Sequence, residues 1–182
     1  MNSPFALMFI EISDRLKTMV PDLRYINQDI GQLEYYESRP SVSFPCVLID
    51  FEGFTFTEEG ELSQIAEGDV KIRLAHAPFS DASNLVPDVV RDKALTYYDI
   101  EWLVFKALHG WQGDSFGALM RKSANTEKRE DNYRVREIVF STSFQDNSAG
   151  NNYQPVLDDA RMVIQSLDGN VITDNGNAFG QS

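Results

Sequence analysis

The sequence predicts an α+β domain: a mainly antiparallel sheet of about four to six strands, two α-helices packed on one of its faces, and an extended C-terminal tail. Three observations carry this. Apolar residues recur at helical spacing near the N-terminus and again in the middle of the chain. Between and after those segments, β-branched and aromatic runs alternate with polar residues. The order helix, strands, helix, strands then suits helices gathered on one side of a sheet.

Each element has its own local reason. Ser3-Pro4 opens a helix well, because proline at the first helical position has no amide hydrogen to leave unsatisfied. Phe5, Met8, Phe9, Ile12, Leu16 and Met19 follow at helical spacing, and Pro21 ends the pattern, giving a helix over residues 4–19. Residues 23–26 and 30–33 read as short strands. Residues 44–56 read as a stronger one, with Gly53 as a bulge or bend. Residues 61–75 pair back through a turn at Glu58-Glu59-Gly60, and Val70, Ile72 and Leu74 alternate with Lys71 and Arg73 as on a strand wet on one face. Residues 77–87, polar with two prolines, form a loop. A second helix is expected over 92–109, with an apolar stripe broad enough to be buried on more than one side and Trp102 in the core. Residues 116–123 and 133–145 make a closing hairpin. After Asp146 the composition turns to Asn, Gly, Gln and Asp. The expected division is therefore a domain over 1–146 and a polar extension over 147–182, mobile or ordered on a neighbouring subunit.

Composition bounds function. The chain has 182 residues, 42% of them hydrophobic and 24% charged, which suits one domain with a real core. A net charge of −12 opposes non-specific adhesion to nucleic acid or anionic membrane. The single cysteine, Cys46, sits among Pro45, Val47, Leu48 and Ile49 and reads as a small core hydrophobe. No basic, apolar N-terminal leader and no bilayer-length apolar run is evident, so a soluble, unexported product is expected.

Catalytic signatures are sparse. Glu11, Asp50 and Asp69-Val70-Lys71 can be fitted, in chain order, to the carboxylates and lysine of a metal-dependent nuclease. An acid-x-Lys is nearly free in a chain this acidic, so the enzyme reading is the minor one. Neither His76 nor His109 has a ligand partner at metal spacing, and His109 in the last helical turn suits a capping role. Glycines form neither a Walker loop nor a dinucleotide fingerprint, no Gly-x-Ser-x-Gly occurs, and no cofactor is implied.

Charge is unevenly placed. Residues 47–70 carry seven acids, Asp50, Glu52, Glu58, Glu59, Glu61, Glu67 and Asp69, and no Lys or Arg. Residues 121–136 carry six bases, Arg121, Lys122, Lys128, Arg129, Arg134 and Arg136, against three acids. An acidic hairpin and a basic hairpin on one protomer can meet head to tail between copies, and such a contact closes into a ring if the rotation allows. Glu58, Glu59, Glu61, Trp111, Arg121, Lys128, Arg129 and Arg136 are the interface candidates.

The same order of elements resembles the tail terminator and tail completion (neck) proteins of long-tailed phages and prophages. The residues that carry the resemblance are Asp99-Ile100-Glu101-Trp102-Leu103-Val104-Phe105-Lys106-Ala107-Leu108-His109-Gly110-Trp111 and Glu137-Ile138-Val139-Phe140-Ser141-Thr142-Ser143-Phe144-Gln145-Asp146, within a likeness over residues 4–146. It implies a non-enzymatic structural protein of the virion neck, assembled in the host cytoplasm, that forms a ring, commonly a hexamer. The ring caps the tail tube, ends its polymerisation and meets the head connector. DNA passes through without specific binding, and no membrane is involved. A non-viral protein-binding module is the third reading.

Overall fold

The computed structural model describes residues 3–35, 37–60, 62–77 and 82–149, with the backbone of 164–165 and 171–172. The chain divides into two compact units, residues 1–151 and 152–182. The first contains α1 (Pro4–Met19), β1 (Tyr25–Gln28), β2 (Cys46–Gly60), β3 (Ser63–His76), α2 (Asp88–Leu95), α3 (Tyr97–Leu108), β4 (Met120–Glu127) and β5 (Arg134–Asp146). Of the second, only the short antiparallel pair β6 (Ile164–Gln165) and β7 (Val171–Ile172) is described. The expectation for the rest of the extension lies outside the described residues. No helix among them is long and apolar enough to cross a membrane.

The strand order is β1-β2-β3-β5-β4, antiparallel throughout except for β1, which runs parallel to β2. The α+β expectation holds. One face carries α1 and α3. Met8, Ile12 and Leu16 of α1 and Val104, Ala107 and Leu108 of α3 join Val47, Ile49, Val70, Ile72, Leu74, Ile138 and Phe140 in one buried cluster. Alternation sends Cys46, Leu48, Ala75 and Val135 to the opposite face, where Leu33 and the Phe44–Tyr133 ring stack cover them. Cys46 is fully buried there, and burial pushes its thiol up to about 12.

Gly53 is the bulge the sequence suggests. It sits at φ +63° where the β2–β3 register shifts between Glu52 and Thr55, so Gly53 and Phe54 together face Gly68. The extra residue reverses the alternation of β2. Phe51 and Phe54 therefore both point toward α1 and pack against Phe5, with Phe54 edge-on at 5.0 Å between centroids. A Cβ on Gly68 would overlap the Phe54 ring, which explains glycine at that position.

Four expectations are corrected. Residues 30–33 form a turn, because local side chains satisfy the backbone there. Asp29 Oδ1 accepts the Gly31 N–H, Gln32 Oε1 accepts the Ile30 N–H, and Gln32 Nε2 donates to the Gln28 carbonyl. The second helix is two helices. Its N-terminus lies at Asp88, and it breaks at Thr96, whose hydroxyl donates to the Lys93 carbonyl at 2.9 Å and competes with the helical ladder. Trp102 is not core: it is 57% exposed, on the side of α3 opposite Val104, Ala107 and Leu108. The closing hairpin begins at Met120, while Phe116 and Leu119 fill the core ahead of it.

Gly53→Ala is expected to lower stability by about 1–2 kcal/mol, the cost of a left-handed backbone for a residue with a Cβ. Equilibrium denaturant unfolding measures it.

Candidate subunit interface

Register places the two charged turns far apart. Because Gln64 opposes Asp146 and His76 opposes Arg134, the β2–β3 turn and the β4–β5 turn lie at opposite ends of the sheet. At about 3.3 Å per residue the separation approaches 40 Å. Glu58 and Glu59, exposed at the first end, accept hydrogen bonds from the neutral amides of Gln64 and Gln145. Glu61 lies outside the described residues. Lys128 is exposed at the second end.

The remaining bases are mostly engaged within the chain. Arg73, at the centre of the face away from the helices, reaches Asp29 at 2.8 Å, Glu34 at 2.6 Å and Glu127 at 2.6 Å, with only 11% of its side chain exposed. Burial opposes its charge, but the hydrogen bonds to Glu127, Glu34 and Asp29 prevail and hold the guanidinium protonated far above any working pH. Arg129 pairs with Asp131 and Glu34 and donates to the Leu33 carbonyl. The Glu34 carboxyl is accordingly held below its ordinary range despite partial burial. Arg136 forms a two-point pair with Glu101 on α3. Arg129 and Arg136 thus tie the β4–β5 hairpin to the turn after β1 and to α3. Trp111 is half-buried, edge-on to Phe116 and under the Arg15 guanidinium.

Three residues of the nuclease constellation are brought to one face and the fourth is not. Asp50, Asp69 and Lys71 share the face away from the helices, whereas Glu11 on α1 accepts the backbone N–H groups of Asp114 and Ser115. Lys71 bonds to Glu52 at 2.6 Å and lies 3.5 Å from Glu137, while Lys122 holds Asp69. Among the described residues no three His, Cys, Asp or Glu side chains are placed to hold a metal ion. His109 stands at the C-cap of α3, its backbone N–H donating to the Phe105 carbonyl, but its side chain does not cap the helix: Nδ1 accepts the Arg121 N–H of β4 and the ring stacks on Phe105.

The exposed side of α3 escaped the sequence reading. Tyr98, Trp102, Phe105 and His109 recur at helical spacing along it. Arg134 lies over Tyr97 and Tyr98, Lys106 over Trp102 at 4.4 Å, and Arg121 over Phe105 at 3.9 Å. The spacing was visible, but a helix apolar on several sides does not declare which side meets the sheet.

No protein-family model and no curated protein sequence matches this chain. Among solved structures, it is similar to a chain from the virion of a native gene transfer agent particle, with a TM-score of 0.50 and 11% identity. The match covers 80% of this chain and the whole of that one. What the two share is the fold.

His76, buried beside Arg134 and Tyr97, titrates low, near 4, because burial disfavours its charged form and Arg134 repels it. Unfolded, it takes up its proton near 6.5, so between those values the unfolded chain binds more protons and stability falls as pH drops. The contribution is up to about 3 kcal/mol. His76→Leu is expected to flatten the loss of stability between pH 6.5 and 4, measured by denaturant unfolding at each pH.

Proposed function

We propose that this chain is a structural virion protein of the neck, a tail terminator or closely related completion component, which self-associates into a ring, caps the tail tube and joins it to the head connector without catalysis. The supporting observation is the fold, which corresponds over the whole length of a chain from a gene transfer agent virion. The distance between the acidic β2–β3 turn and the bases that lie toward the other end of the sheet adds to it. A contact between opposite ends of a sheet is heterologous, and heterologous contacts make rings or filaments rather than two-fold dimers.

The charge balance fits a bore through which DNA travels. A surplus of carboxylates repels phosphate and lets the duplex slide without adhesion. In this reading the protein's folding energy goes into rigid surfaces, and the polar extension after the first unit is available to a neighbour.

Purified protein in negative stain is expected to show rings with a bore wide enough for duplex DNA. Raising salt from 0.1 to 1 M shortens the screening length from about 10 to 3 Å and should shift the mass toward monomer. A monomer that cleaves duplex DNA with Mg²⁺ or Mn²⁺, and stops cleaving on Lys71→Ala, would overturn the proposal.

A further inference from the structure

We infer that the exposed side of α3 is the receiving surface for the β2–β3 turn of a second copy of this chain. The inference rests on the self-associating role proposed above and names the surfaces that meet.

Both patches combine exposed apolar groups with a predominant charge, and the predominant signs are opposite, Asp99 being the exposed acid on the α3 side. On α3, Tyr98 is 47% and Trp102 57% exposed, and Met120 at the start of β4 adds another 48%-exposed side chain. Lys106 lies over Trp102, Arg134 over Tyr97 and Tyr98, and Arg121 over the half-buried Phe105, and among the described residues none of the three forms an ion pair. Other bases, such as Lys93 and Lys128, also form no ion pair among the described residues; these three are distinguished by gathering at the rings of one helix. A cation resting on an aromatic face keeps its charge directed outward and still holds donors for a carboxylate. At the β2–β3 turn, Phe56 is 48% and Leu62 39% exposed. Among the described residues, Glu58 and Glu59 beside them meet only neutral amides.

The two patches are distinct regions of one protomer. The turn projects beyond the end of the sheet where β5 finishes. The α3 stripe starts beside His76 and Arg134 at the opposite end and runs up to Arg121 on β4. The contact is therefore heterologous, as a ring requires. An apolar centre of Trp102 and Tyr98 against Phe56 and Leu62 supplies dry contact area, and the flanking charges set register and partner choice. Nucleic acid is the disfavoured occupant, since Glu101 lies on the same helix, paired to Arg136, and the whole chain is acidic.

The test is a pair of charge reversals in the full chain, Lys106→Glu with Arg121→Glu on the stripe, and Glu58→Lys with Glu59→Lys on the turn. Thermal unfolding verifies that each variant folds, and mass in solution reads assembly. Each variant alone is expected to self-associate at least about tenfold more weakly than the parent chain. Mixed in equal amounts they should assemble again, because each reversed surface then finds its complement and the copies alternate around the ring. Parent and variants assembling equally would overturn this choice of surfaces and leave the ring reading standing. Loss of assembly in both variants without recovery on mixing would overturn the pairing of these two patches. A parent chain that stays monomeric at every concentration would overturn the inference and the ring together.

Discussion

The charge arrangement depends on Arg73. A strand residue with three carboxylates around one guanidinium is held in place by geometry, since the planar fork donates in several directions at once. It draws together the turn after β1, the C-terminal part of β3 and the end of β4, three segments with no backbone ladder in common. Arg129 shares Glu34 with it and extends the network into the β4–β5 loop. A network this enclosed adds little net stability compared with apolar packing, but it is costly to break and it specifies one arrangement. Its consequence is that Arg73 and Arg129 are held within the chain by four carboxylates, Asp29, Glu34, Glu127 and Asp131, so that face stays acidic and the bases free to meet a partner lie elsewhere.

Where that charge remains follows from the backbone. The bulge at Gly53 turns Phe54 inward onto Phe5 and Phe144, so the β2–β3 hairpin is anchored by aromatic packing along its length while its turn carries acids. On the other side, α3 uses Val104, Ala107 and Leu108 to meet the sheet, and has aromatic residues left over. Cations resting on those rings gain modest attraction, and their hydrocarbon stems shield apolar surface from water. An acidic apolar turn and a basic aromatic helix face are thus two products of the same folding solution, separated along the molecule.

Much of this was legible in the residues. The first helix, the long hairpin and its bulge, and the closing hairpin follow from periodicity and from a glycine placed inside an aromatic strand. Residues 30–33 misled because Ile30 and Leu33 look strand-like, whereas Asp29 and Gln32 supply hydrogen bonds that make a turn self-sufficient. Thr96 gave no warning of a break, since a threonine hydroxyl bends a helix only when it turns back on a carbonyl. Trp102 misled most, because a helix apolar all round hides its outward side. The charge asymmetry was plain in the sequence, but which bases stay unpaired depends on strand register. Arg129 and Arg136 find carboxylates in their own chain, and Arg121 finds a ring.

The central claim is that α3 is covered when copies of the chain meet. Trp111→Phe leaves Trp102 as the sole tryptophan, and iodide quenching of its fluorescence across a dilution series reports its exposure directly. The account predicts open quenching in dilute monomer, protection as the mass rises, and renewed quenching in high salt. Quenching that stays open at concentrations where the chain is assembled would contradict it.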